Sequence, residues 1–253
     1  MKPNLSKITR HDKSLLLAYD QGMEHGPIDF NGQNIDPNFV LEIGVQAEFN
    51  GIILQKGIAE KYYLGFQEKK DLPLIVKLNG KTKLRAGEPL SVQVCSVKEA
   101  KELGAVGIGY TIYIGSEYEP EMFREFGRIE QEAEKLGLIV IAWMYPRGKS
   151  VKNPNSPETV AYAGRVGLEL GADMVKINYP GSVKALNWAV QSSGKTKVLV
   201  SGGNKLSEVE FLRQAKNIMS SGANGLAVGR NIWQSREPLK VAKALRHIVF
   251  NNN

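Results

Sequence analysis

Lys176 lies inside the apolar run "MVKINY" (174–179), between Val175 and Ile177. An ammonium placed in a buried strand costs free energy unless it is paired or discharged. Desolvation lowers its pKa, and the neutral amine that results can add to a ketone carbonyl and form a Schiff base. The competing reading is a lysine paired with a carboxylate or reaching to the rim. Lys77 in "LIVKLN" is equally embedded, and pattern alone does not separate the two lysines.

Three further stretches could serve such an amine. In "AWMYPRG", Tyr145 precedes Pro146, which ends a strand, and Arg147, a fork-shaped anion clamp. A phenol beside an amine can relay protons to carbon, although the same tyrosine could simply cap the core. In "AYDQGMEHGP", Asp20 could accept a hydroxyl proton or form a turn, with Glu24 and His25 in the loop beyond. "SGGNK" (201–205) and "AVGRN" (227–231) pair glycines with Ser201 and Arg230, so that backbone N–H groups and a cation can approach a phosphate.

These residues need a frame that brings them to one place. Eight β-rich runs recur at 14–20, 51–55, 73–79, 105–112, 138–145, 174–179, 197–203 and 225–231, mostly as continuous apolar stretches. That is the pattern of parallel strands covered on both faces. Helical patterns such as 96–105, 121–137, 156–172 and 207–223 lie between them, and a last helix is expected over 237–250. Several begin at Ser and end at Gly, and a Gly-Ala pair leads into the next strand at 104–105, 171–172 and 222–223.

The reading is a (β/α)8 TIM barrel spanning 1–253 as a single domain, with a doubly wound open sheet as the competitor. In a barrel the polar strand ends share one face, and strands five and six are neighbours, so Tyr145 and Lys176 can meet one ligand. A charged surface turn is expected at 67–73 and a frayed tail at 251–253.

Composition excludes other classes. The chain has 253 residues and a net charge of +7, but its lysines are scattered without a basic block, which argues against nucleic acid and suits anionic small molecules. His11, His25 and His247 lie too far apart in sequence for a conventional zinc motif, so neither metal nor cofactor is expected. Cys95 is the only cysteine, which excludes an intrachain disulfide. No signal segment or apolar span of membrane length appears, and a soluble, cytoplasmic protein is expected.

The segments "LLAYDQGMEHGP", "QKGIAEKYY", "KLNGKT", "GYTIYIGS", "WMYPRG", "VKINYPG", "SGG" and "AVGRNIWQ", in this order, resemble those of the archaeal-type class I fructose-bisphosphate aldolases over nearly the whole chain. The resemblance implies that Lys176 forms the Schiff base, that Tyr145 relays the proton and that Asp20 is the acid–base carboxylate. It places His25, Trp143 and Arg147 on substrate-contacting positions. Ser201, Gly202, Gly203, Gly229 and Arg230 fall on phosphate contacts, and Gln21 stands where some members carry histidine. It further implies a homo-oligomer, a decamer in many members, acting on a sugar phosphate. Members that condense other substrates, such as the 2-amino-3,7-dideoxy-D-threo-hept-6-ulosonate synthases, are the alternative.

Overall fold

The computed structural model describes residues 3–67 and 71–251. Eight strands, β1 (Ser14–Tyr19), β2 (Gly51–Gln55), β3 (Leu74–Lys77), β4 (Gly107–Ile114), β5 (Ile139–Pro146), β6 (Met174–Ile177), β7 (Lys197–Ser201) and β8 (Gly225–Val228), pair in parallel. Each strand borders the next in sequence, and β1 pairs with β8 through Ser14↔Gly225 to Leu17↔Val228, which closes the barrel. That closing ladder removes the open-sheet alternative.

Helices follow the strands: α1 (Pro37–Gln46), α2 (56–67), α3 (Val97–Glu102), α4 (Glu119–Leu136), α5 (Pro157–Glu169), α6 (Val183–Ser192), α7 (Glu208–Ser220) and α8 (Pro238–Asn251). Serine caps start α3, α5, α6 and α7, each accepting a backbone N–H of the first turn; the backbone N–H groups of Ser96 and Ser207 donate in return to the carboxylates of Glu99 and Glu210, completing a capping box.

Every residue of β1 and of β4 is buried, which is why these runs read as continuously apolar. The period of two then divides them. Leu16 and Ala18 face the barrel interior with Ile53, Ile75, Ile141, Met174 and Leu199, while Leu15 and Leu17 face the helix layer. The interior needs volume matching. At Gly109 on β4 a Cβ would lie 2.0 Å from the Trp143 ring, so only glycine leaves space for that indole. At the opposite end Ile8, fully buried, packs with the inward residues; its carbonyl accepts a 2.7 Å bond from Ser14 Oγ.

Several boundaries move. The run 174–179 stops as strand at Ile177, and Asn178 and Tyr179 turn out of the sheet above the core. The run 225–231 stops at Val228, and Arg230–Trp233 forms a helical turn. The run 73–79 divides: Asn79–Gly80 leaves the barrel and pairs antiparallel with Val92–Gln93. Of the turn expected at 67–73, residues 68–70 lie outside the described residues, and Leu72 is buried in the core instead of being exposed. Of the expected tail, Asn251 ends α8, and residues 252–253 lie outside the described residues.

Candidate active site

The C-terminal ends of the strands surround a cavity of about 440 Å³. Its floor follows from strand parity. Lys77 follows inward Ile75 on β3 and Lys176 follows inward Met174 on β6, so both amines point into the interior and both are buried. Each lies over the Trp143 indole, Lys176 Nζ at 5.0 Å and Lys77 Nζ at 5.4 Å from its centroid. Trp143 is the register partner of Lys176 across β5 and β6, and its indole N–H has no hydrogen-bond partner among the described residues.

The two lysines differ in one respect that the sequence leaves open. Lys77 Nζ pairs with Asp20 Oδ2 at 3.7 Å, whereas Lys176 has no carboxylate within ion-pair distance among the described residues. Burial pulls the Lys176 pKa down to about 8; the neighbouring Lys77 charge works in the same direction, and Asp20 and Glu24 oppose it. Tyr145, two residues beyond Trp143, has its phenol pushed up by burial and by the Asp20 carboxylate, against a smaller downward pull from Arg147. It therefore keeps its proton at neutral pH, as a donor must.

Two cationic edges flank this floor. On the β5 side Arg147 Nη1 donates to Glu24 Oε1 at 2.8 Å. On the β7 and β8 side the glycine turns meet: Gly203 adopts φ +65°, a left-handed conformation costly for other residues, and Arg230 Nη2 donates to its carbonyl at 3.3 Å. Arg230 also approaches Asp29 at 3.6 Å, and Asp29 holds His25 Nδ1 at 2.8 Å, so the β1 loop is tied to the β8 loop. Asn231 joins the two glycine turns by donating to the carbonyls of Gly202 (2.8 Å) and Asn204 (3.0 Å).

A family model described as DeoC/LacD family aldolase matches residues 14–235. The chain belongs to the DeoC/LacD aldolases. Among its relatives in this family, the class 1 fructose-bisphosphate aldolase of Thermoproteus tenax is 52% identical over 244 residues, 95% of this chain and 91% of that protein. The class 1 fructose-bisphosphate aldolase of Halobacterium salinarum is 43% identical over 247 residues, 97% of this chain and 93% of that one. A solved archaeal fructose-1,6-bisphosphate aldolase, whose catalytic lysine is covalently bound to the carbinolamine intermediate of its substrate, superposes with a TM-score of 0.93 at 50% identity, covering 97% of both chains.

In this aldolase the cavity is lined by all twelve residues singled out from the sequence, from Asp20 and Gln21 on the β1 loop to Gly229 and Arg230 after β8. Sequence reading weighed Lys77 only as a rival amine and gave Glu24 no role, yet both line the cavity. It passed over Thr111, Asn155, Asn178 and Asn231 altogether. Asn178 was within reach of the parity rule, since it stands two residues beyond Lys176. Asn155 and Asn231 come from loops whose course the strand pattern does not contain. Among the described residues no cluster of three or more His, Cys, Asp or Glu could hold a metal ion, and no helix is long and apolar enough to cross a membrane.

Proposed function

We propose that the protein is a class I aldolase that reversibly cleaves fructose 1,6-bisphosphate into dihydroxyacetone phosphate and glyceraldehyde 3-phosphate through a Schiff base on Lys176. The observation that carries this reading is a buried amine, without an ion pair among the described residues and with its pKa near 8, on the floor of a cavity edged by Arg147 and Arg230. The identity of 52% and 43% to class 1 fructose-bisphosphate aldolases supports the choice of substrate over the heptulosonate synthase alternative.

Lys176 lies on β6, between the Arg147 edge on β5 and the glycine turns of β7 and β8. A ketose joined to it at C2 directs its short phosphorylated arm to Gly203, Gly229 and Arg230 and its long arm toward Arg147. Lys176 Nζ adds to C2, and loss of water gives the iminium. The C3–C4 bond then breaks: its electron pair moves into the enamine, the C4 hydroxyl proton passes to Asp20, and C4 leaves as the aldehyde. Tyr145 protonates C3 of the enamine, and hydrolysis releases dihydroxyacetone phosphate and the free amine. Holding both phosphates fixes C2 against the amine, the positional part of the rate gain.

In this reading the whole chain works as one barrel domain, within a homo-oligomer in the cytoplasm. Borohydride added with fructose bisphosphate leaves a reduced sugar-phosphate adduct on Lys176, located by peptide mass mapping. Lys176→Met forms no adduct and cleaves no ketose. An adduct on Lys77, or full activity in Lys176→Met, rejects the assignment.

A further inference from the structure

Among the described residues Glu24 is the acidic side chain that pairs with Arg147 at the cavity edge, and its contacts are specific. Its Oε1 accepts from Arg147 Nη1 at 2.8 Å and from the Tyr113 hydroxyl at 3.0 Å. The guanidinium is bracketed in turn by two rings, its Cζ standing 5.4 Å from the centroids of both Tyr113 and Tyr145. Tyr113 comes from the end of β4, Arg147 from the end of β5 and Glu24 from the loop after β1, so three separate elements fix one cation.

We propose that Glu24, oriented by Tyr113, is a positioning residue that aims Arg147 at the far end of the substrate and thereby sets the preference for a ketose carrying a second phosphate. Arg147 is half exposed, and a long side chain at a cavity mouth has many rotamers to lose before it can hold a ligand. The Glu24 carboxylate and the two rings remove that freedom in advance. Glu24 engages only one edge of the fork; the remaining guanidinium N–H groups have no protein acceptor among the described residues and are left for an anion.

Burial pushes the Glu24 carboxyl upward, but Arg147, Lys77 and the Tyr113 hydrogen bond outweigh it and hold it below the ordinary range. The carboxylate is therefore ionised throughout the neutral range. Tyr113 lies fully buried with its phenol pushed up, first by burial and then by Glu24, so it acts as a hydrogen-bond donor.

The inference rests on the proposed cleavage of fructose bisphosphate, and comparing two ketoses separates the two claims. Steady-state kinetics are measured with fructose 1,6-bisphosphate and with fructose 1-phosphate for the wild type, Glu24→Ala, Glu24→Gln and Tyr113→Phe. In Glu24→Ala the ratio of kcat/KM for the bisphosphate over the monophosphate falls about tenfold, the size of one charge-assisted hydrogen bond, mostly through KM. Glu24→Gln keeps an acceptor for both donors and recovers most of the ratio; Tyr113→Phe keeps the ring and lowers it about threefold. Equal losses on both ketoses, or a lower KM for the bisphosphate in Glu24→Ala, overturn the proposal while leaving the cleavage reading intact. A wild type that cleaves neither ketose overturns both.

Discussion

At the scale of single residues, two lysines of similar embedding acquire different chemistry from one carboxylate. Asp20 stands 3.7 Å from Lys77, and Lys176 is left without an ion pair among the described residues. A pKa near 8 leaves about one Lys176 amine in ten neutral at pH 7, against about one in three thousand for an unperturbed lysine. In the proposed mechanism the reactive form is the neutral amine, so the sign is fixed: the rate rises with pH until the amine is deprotonated. kcat/KM for ketose cleavage falls about tenfold per pH unit below about pH 8 and levels off above it. A limb near pH 10, where an ordinary lysine titrates, shows that the amine is not desolvated in the free enzyme. The presence of lysines in apolar runs was legible in the sequence, but the partner that distinguishes them was not, because Asp20 is far from both along the chain.

At the scale of elements, β4 and β5 cooperate to place the floor of the site. The indole of Trp143 carries both amines on its face and needs the space left by Gly109 across the ladder. Gly109→Ala puts a methyl group where the ring now lies and forces Trp143 to shift. The expected cost is about 1–3 kcal/mol, the range for overpacking a core, together with a larger loss of kcat than thermal unfolding alone explains. Unchanged tryptophan fluorescence and unchanged kcat in a folded Gly109→Ala protein contradict this packing argument. The strands themselves, and the serines that open α3, α5 and α7, follow from local pattern and read correctly from the sequence, whereas α6 with its Ser182 cap was not among the helical patterns read there. Strand ends did not: 174–179 and 225–231 contain apolar or extended-looking residues past the last ladder bond, and the chain leaves the ladder at Ile177 and Val228 although the neighbouring strands β5 and β1 run on.

At the scale of the whole molecule, the barrel is closed at one end by chemistry and at the other by packing. Ile8 fills the end remote from the cavity, against inward residues such as Leu16 and Ile139. Ile8→Ala opens a void there, with an expected loss of about 2–5 kcal/mol of stability. Cleavage at 25 °C by the folded fraction stays near the wild-type rate, because the void is at the opposite end from Lys176. A thermal-unfolding midpoint equal to the wild type shows that the N-terminal segment does not seal the barrel.

By itself the sequence determined the class of frame and the kinds of group it carries. Hydrophobic period, capping residues and turn glycines are local properties, and a residue's side of a strand follows from counting by two. The tertiary structure alone decided which of these groups meet. Asp20 with Lys77, Glu24 with Arg147 and Tyr113, and Asp29 with His25 and Arg230 link loops set by barrel closure and by the register between strands. Electrostatic and hydrogen-bond energies depend on distances of a few ångströms, and those exist only once the eight strands have closed.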